Sequence, residues 1–415
     1  MQVLVIGYVW PEPNSSAAGS RMMQLLQSFY NQAWHITFAS PAQLSDHMAD
    51  LSQLNIQQDQ IELNSDTFDH YIADKKPDIV IFDRFMMEEQ FGWRVEKFSP
   101  DSLRVLNTED LHSLRQARHN ALKAQREFQL TDLYSEQGIR EIAAIHRCDL
   151  TLMISEFETQ LLKDKFHVPE THLMHLPFML DTPTEVEELV AFDQRQHFIS
   201  IGNFRHAPNW DAVLQLKTQI WPKIRQRLPQ AELHIYGAYP PPKATQLHNP
   251  KQGFHIKGWA EDAKKVMASA RICLAPLRFG AGIKGKLVEA MEVGTPSITT
   301  HVGAESMHGE WPWNGIITDD MDEFIHAAVS LYEDQQSWQL LQKNGLQILQ
   351  ARYQASEWEG KLINRLTRQI QLKTPLRQQH FLGLMLRHHS LKSTQYMSQW
   401  IELKNKQDSS PRTSD

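Results

Sequence analysis

Cysteine is nearly missing from this chain: Cys148 and Cys273 are the only two in 415 residues. That excludes a disulfide framework and suits a reducing compartment. No uninterrupted apolar run reaches the roughly 18–20 residues that a membrane-spanning helix requires. The opening Met1-Gln2-Val3-Leu4-Val5-Ile6-Gly7 has neither the charged start nor the long apolar stretch of a secretory signal, so a cytoplasmic protein is expected. Positive charge is also short, with a net of −7, which argues against a nucleic-acid partner. Twenty histidines fall in no Cys/His grouping with zinc-like spacing, and no structural or catalytic metal is expected. The loop from Gly7 to Gly19 lacks the Gly-x-Gly-x-x-Gly spacing of a dinucleotide oxidoreductase. Internal repeats and low-complexity segments are absent too.

What is present is a soluble, core-forming composition, 41% apolar and 22% charged, long enough for two or three domains. Short apolar runs (Val3–Gly7, Ile36–Ala39, Ile79–Phe82, Arg104–Leu106, Leu150–Ile154 and Leu173–Leu176) alternate with stretches of helical spacing such as Ser20–Tyr30. This alternation predicts an α/β fold with a parallel sheet covered on both faces. Composition shifts to Asp, Thr, Pro and Glu over 184–196, read as a linker with a short helix at Thr184–Leu189. A second alternating unit starts at His197 and runs to about 372. The expected division is 1–183, linker 184–196, 197–372, and a tail 373–415 that Thr374-Pro375 separates from the preceding helix. From Lys361 to Asp415 ten basic residues face three acidic ones, about +7 against about −14 for the rest. The tail is either a solvated helical face or a surface for anionic lipid or an acidic glycan carrier. Phe381, Leu384, Met385 and Leu391 form one apolar stripe, expected to pack on the body.

The most informative segment is Ala275-Pro276-Leu277-Arg278-Phe279-Gly280-Ala281-Gly282-Ile283-Lys284-Gly285-Lys286-Leu287-Val288-Glu289. Close approach to a diphosphate needs glycines, N–H groups at a helix start and fixed positive charge. Gly280, Ala281, Gly282, Lys284 and Lys286 supply these, and Glu289 lies one turn deeper, in reach of a ribose hydroxyl. The alternative is a plain strand-to-helix turn. Gly202 ends one strand, and Arg205 after it either pairs with a phosphate or sits at a helix start capped by Asn209. Gly237 and Trp259 mark two more strand ends on the same sheet edge, with Trp259 near a nucleobase or simply on the rim. In the first half, Gly19 lies in a long loop facing the cleft. Asp110 and His112 either orient an acceptor hydroxyl and take its proton or, for Asp110, cap the helix Leu111–Arg118. Asp320-Met321-Asp322 has the spacing of a metal-holding Asp-x-Asp, but Asp320 with Glu323 fits a capping box.

Together these residues resemble the retaining family 4 ("group 1") glycosyltransferases of the GT-B fold. The resemblance is strongest from Phe198 to about Met307, through Gly202-x5-Pro208-Asn209, Trp221-Pro222, Tyr236-Gly237, Pro276-Leu277-Arg278-Phe279-Gly280 and Glu289-Ala290-Met291-x-x-Gly294-x-Pro296. The first half matches only through its Pro/Gly loop, Asp110-Leu111-His112 and Ser155-x-x-Glu158. It implies two Rossmann-like, doubly wound domains facing a central cleft, the second binding a nucleotide-sugar and the first an acceptor that is a glycan or lipid-linked. It further implies transfer with retention of anomeric configuration, no cofactor, and a role in bacterial-type polysaccharide or glycoconjugate synthesis. Lys284 or Lys286 would stabilise the leaving diphosphate and Glu289 hold the ribose. The family's first donor-binding glutamate falls on Ala281, which cannot accept a sugar hydroxyl. An inactive partner subunit, or a sugar-nucleotide epimerase on the same fold, are the alternatives.

Overall fold

The computed structural model describes residues 1–181 and 189–409. Two parallel sheets form the two halves. The first contains β1 (Gln2–Ile6), β2 (His35–Ser40), β3 (Gln57–Gln60), β4 (Ile79–Asp83), β5 (Leu103–Asn107), β6 (Leu150–Met153) and β7 (Leu173–His175), in the order β3-β2-β1-β4-β5-β6-β7. The second contains β8 (Gln196–Ile201), β9 (Leu233–Tyr236), β10 (Phe254–Gly258), β11 (Ala270–Ala275), β12 (Ser297–Thr299) and β13 (Gly315–Ile317), in the order β10-β9-β8-β11-β12-β13. Both orders reverse beside the first strand of the unit, so each sheet has a switch point between β1 and β4, or β8 and β11. The crevice outside the strand ends there is where open α/β sheets hold ligands. This is the doubly wound, two-domain architecture expected.

The strands read as apolar runs because both sheet faces are covered. Leu4 and Ile6 enter one cluster with Phe82, Phe91 and Leu106, while Val3 and Val5 enter another with Leu25, Phe29 and Phe38. The second sheet does the same with Phe198, Leu233 and Ile235 on one face and Ile199, Cys273 and Ala275 on the other. The last of these clusters also takes in Ile154, Phe178 and Leu180 of the first half, making an apolar seam between the lobes.

Several boundaries differ from the expected ones. The first helix spans Ala17–Asn31, capped by Ser16, so Gly19 lies in its first turn rather than in a loop. A Cβ on Gly19 would sit 2.3–2.7 Å from the Glu12 backbone, so this glycine lets the Pro/Gly loop lie on the helix and does not face a ligand. Asn209 is inside the helix Ala207–Gln215, whose cap is His206. Asp110 does not cap: the helix is His112–Lys123 and its cap position, Leu111, has no side-chain bond. Asp320 does cap Met321–Glu333, accepting from the Glu323 amide at 2.8 Å, but Glu323 turns to Thr318 instead of returning the bond. Of the linker, the helix expected at Thr184–Leu189 lies outside the described residues except for Leu189, and Phe192–Gln194 forms a short turn.

The tail is the largest departure. Pro375 does not end the helix, which runs Ala355–Gln379 and breaks at His380 before a final helix Phe381–Ser409. The boundary expected at 372/373 therefore falls within one helix. Both helices return to the first lobe. Arg377 pairs with both oxygens of Asp149 at 2.7 Å, Arg365 donates to the carbonyls of Glu170 and Thr171, and Lys406 meets Asp66 at 2.6 Å. Much of the basic excess thus neutralises first-lobe acids and carbonyls. The apolar stripe behaves in the opposite sense, with Phe381 73% exposed and Met385 44% exposed. The side chain of Leu391 lies outside the described residues.

Candidate active site

The two sheets present their strand carboxyl ends to one cavity of about 390 Å³. From the second lobe it is lined by Gly202, Asn203, Arg205 and His206 after β8, Gly237 after β9, Trp259 after β10, Leu277 and Phe279 through Lys286 after β11, and Glu289. The first lobe contributes Pro13 through Ala18, Arg84, Glu109, Asp110, His112, Arg115 and Ile154. Every predicted site residue except Gly19 is in this lining.

The loop after β11 is shaped by its glycines. Gly282 has φ +64°, and a Cβ there would lie 2.8 Å from Cβ of Asp110 across the cleft. Its amide donates to Glu158 Oε1 at 2.7 Å, so a first-lobe carboxylate holds the loop. No side chain caps the following helix, Gly285–Glu292, which leaves its start available to an anion. Lys284 Nζ donates to its own loop at Gly282 O, 2.8 Å, and Lys286 Nζ donates to Asn209 Oδ1 at 2.7 Å. Asn209 in turn donates to Asn203 O at 3.0 Å, and it occupies the space that a Cβ on Gly202 would take. Gly202, Asn209 and Lys286 thus form one chain of contacts at the cleft floor. Gly237 permits a close approach of neighbouring strand ends, since its Cβ would be 2.1 Å from Gly202 O.

Burial sets the electrostatics. It lowers the Lys284 amine, against the pull of Glu305, and lowers Lys286 to about 8. It raises Glu289 to about 7, aided by Glu292. Burial also drives His112 down to about 4 despite the neighbouring Asp110 carboxylate, so the imidazole is neutral at pH 7. Asp110 is raised by burial, but Arg115, joined in acid by protonated His112 and His206, outweighs this and holds its carboxyl below the usual range. Asp110 pairs with Arg115 and lies 3.4 Å from His112 Nε2, which orients the imidazole. Arg84, Arg115, Lys284 and Lys286 line the cavity around the ionised Asp110, while the carboxyls of Glu109 and Glu289 are raised, so the wall is rich in positive charge and suits an anion.

Arg205 lies over the Tyr239 ring, 3.7 Å from its centre, and so is directed by stacking within the cavity wall. Trp259 sits at the rim: His47 stacks on it at 4.4 Å and its Nε1 donates to Asn14 O at 3.2 Å. Further bonds close the lobes. Arg118 reaches both oxygens of Glu305 at 2.7 and 2.9 Å and Gly280 O at 2.9 Å, while the Tyr239 hydroxyl donates to Glu12. Ala281 lines the cavity and packs against the first lobe's apolar cluster.

Sequence reasoning missed Arg84 and Arg115 as lining residues and assigned no role to Glu109 or His206, which also line the cavity. Arg84 and Glu109 both have positive φ, 74° and 65°, at the ends of strands β4 and β5. Arg84 follows the end of β4 by one residue and Glu109 the end of β5 by two, a position that does not by itself distinguish them. Burial, opposed by Arg21, pushes the Glu109 carboxyl upward.

Residues 195–334 match a family described as "Glycosyl transferases group 1". That match covers about a third of the chain, within the second lobe, and the fold is GT-B. Sucrose-phosphate synthase from Thermosynechococcus elongatus is similar at a TM-score of 0.65 and 16% identity, over 89% of this chain and 98% of that one. HepE of Anabaena, solved with UDP-glucose, gives 0.65 and 13% over 89% and 100%. WaaG, a glycosyltransferase involved in lipopolysaccharide biosynthesis, gives 0.62 and 12% over 88% and 99%. No curated protein sequence matches the chain.

Proposed function

We propose that this GT-B glycosyltransferase moves a sugar from a nucleoside diphosphate to a hydroxyl of a glycan or lipid-linked acceptor, with retention and without a metal at the reacting diphosphate. The observation that carries this reading is that Gly280–Gly282, Lys284, Lys286 and Glu289 line one cavity at the switch point of the second sheet. Leaving-group charge would be taken by the two amines and by loop and helix amides, donors held in place before the reaction. His112 and Asp110 face them from the other lobe, where an acceptor would enter. A uridine donor is supported by HepE, whose solved complexes contain UDP and UDP-glucose. The likeness to WaaG supports a place in bacterial-type polysaccharide or glycoconjugate synthesis. Ala281, where a sugar-binding glutamate is expected, motivates the second reading of a partner subunit without turnover. Slow hydrolysis of the donor in the absence of acceptor would exclude that reading.

The first experiment is a panel of nucleotide-sugars screened for thermal stabilisation, since a ligand of the native state alone raises the melting point. Glu289→Ala is expected to weaken nucleoside diphosphate binding by about 1–3 kcal/mol, the scale of a hydrogen bond to a charged group. Isothermal titration with UDP measures it, and an unchanged affinity removes Glu289 from the ribose.

We also propose a peripheral membrane contact through the final helix, on a different basis from net charge. Among the described residues no helix is long and apolar enough to cross a membrane. The outer face of Phe381–Ser409 nevertheless exposes Phe381, Tyr396, Met397, Trp400 and Leu403, with Lys404 over the Trp400 ring at 5.7 Å. Aromatic and basic residues on one helical face suit the headgroup region. Replacing Tyr396, Trp400 and Leu403 together by serine is expected to cut co-sedimentation with anionic phospholipid vesicles several-fold while UDP affinity stays constant. Undiminished co-sedimentation would remove the helix from the contact.

A further inference from the structure

At the end of the second sheet remote from the cleft, three histidines converge on one carboxylate. His197, His234 and His255 are each the second residue of their strand, β8, β9 and β10, and Glu232 immediately precedes β9. His234 is in register with Ile199 on one side and His255 on the other, so strand alternation turns all three imidazoles to one face. Their Nε2 atoms approach the same oxygen of Glu232, at 2.8 Å from His234, 3.5 Å from His255 and 3.9 Å from His197. One oxygen cannot serve three such groups. Nε2 of His255 is buried and makes no hydrogen bond. Donor atoms of His197, Glu232 and His234 all lie within 4.8 Å of one another. A groove beside Val266 and Ser269 opens onto His197 and His234. The backbone at His197 is held at φ +63°, a conformation uncommon outside glycine. Spacing along the chain hides this grouping, because its members come from three strands.

We propose that His197, Glu232 and His234, with His255 beside them, form a site for a divalent transition metal of the zinc class. Ligands about 2.0–2.1 Å from a tetrahedral ion lie roughly 3.3 Å apart, inside the 2.8–3.9 Å span of the three contacts with Glu232. Imidazoles with one carboxylate and no thiolate suit zinc, nickel or copper over calcium or magnesium. Loading asks for a change of tautomer on two rings. Nε2 of His234, which donates its proton to the Glu232 carboxylate at 2.8 Å, must pass it to Nδ1, and the same holds for His197. Nδ1 of His197 accepts from the Glu232 amide at 3.2 Å, so Nε2 carries the ring proton. Coordination through Nε2 moves this proton to Nδ1 and gives up that bond. The ion would join β8 and β9 about 16 Å, five strand residues, from Gly202. It would clamp the sheet that carries the cleft and take no part in transfer.

The test titrates Co²⁺ into the full-length protein after chelator treatment. Intense visible bands of a tetrahedral site should saturate at one equivalent and disappear when Zn²⁺ is added. The Glu232→Gln/His234→Gln double variant should lose these bands and at least tenfold in affinity. Glu232→Gln alone, which keeps an acceptor for His234, should weaken binding less. His301→Gln, at the exposed His301–Asp319 pair, should change nothing. UDP-induced thermal stabilisation, measured on every variant, reports folding and the donor site separately from the metal. Weak octahedral spectra, no saturation near one equivalent, or tetrahedral bands that survive the double variant would each overturn the site.

Discussion

Replacing Lys286 by methionine is expected to slow sugar transfer by about 10²–10³-fold, the loss seen when one donor to a developing anion is removed, while raising the melting point of the free protein near neutral pH. The two effects have one cause. Burial lowers the Lys286 amine to about 8, below the roughly 10.4 of an exposed lysine. The unfolded chain therefore binds the proton more tightly than the folded one. Its buried charge is a destabilising contribution fully present below about pH 8 and relieved as pH rises from there towards the unfolded value. Methionine keeps much of the volume and removes the charge. A bound diphosphate reverses the balance by raising the amine again, so binding near pH 8 should take up protons. Calorimetry in buffers of different ionisation enthalpy measures that uptake. In wild type, kcat/KM should fall as pH rises through about 8. A methionine variant that turned over normally, or wild-type binding without proton uptake, would remove Lys286 from the diphosphate.

Gly282→Ala is expected to lower kcat/KM by about 10²-fold, the cost that a misplacement of about 1 Å can carry. Two penalties combine. An L-residue at φ +64° is strained by about 1–2 kcal/mol, and the new methyl group would lie 2.8 Å from Cβ of Asp110. That atom is next to the main chain and cannot swing away, so either the loop or the opposing lobe must move. The loss should appear with the Glu158 bond broken and the lobes further apart, visible as a larger radius of gyration by small-angle scattering with UDP present. Gly280→Ala is the contrast, because its Cβ meets nothing nearer than 3.6 Å in the protein and should leave the lobes closed. Equal scattering and near-wild-type turnover for Gly282→Ala would show that the loop does not need this approach.

Much of the donor side was legible in the residue order because local chemistry and tertiary position coincide there. Glycines next to lysines, between an apolar run and a helix, mark a strand end open to the cleft. Gly280, Gly282, Lys284, Lys286 and Glu289 indeed line one cavity. Gly19 was misplaced because a glycine beside prolines also reads as a loop, whereas here it is the contact point of a helix with the loop before it. Pro375 was read as a break, yet the helix continues through it and ends at His380. Anchors of its neighbours, such as Lys373 on Asp101 and Arg377 on Asp149, hold the helix to the first lobe. Arg84 and Arg115 were invisible, because an arginine after a strand or within a helix has no local mark of facing a ligand.

By itself the amino-acid order determined the two α/β units and singled out the glycine–lysine loop as a cavity-lining segment, since apolar periodicity and glycine–lysine chemistry act within a few residues. Tertiary structure alone decided what that loop touches: Glu158 on the Gly282 amide, Asn209 on Lys286, and Arg118 bridging Gly280 to Glu305. It also decided that the basic carboxy-terminal helices pair with the first lobe and that three histidines meet at Glu232. These contacts join residues from tens to hundreds of positions apart. Their energies depend on burial and direction, and neither quantity exists until the sheets have formed and the lobes have closed.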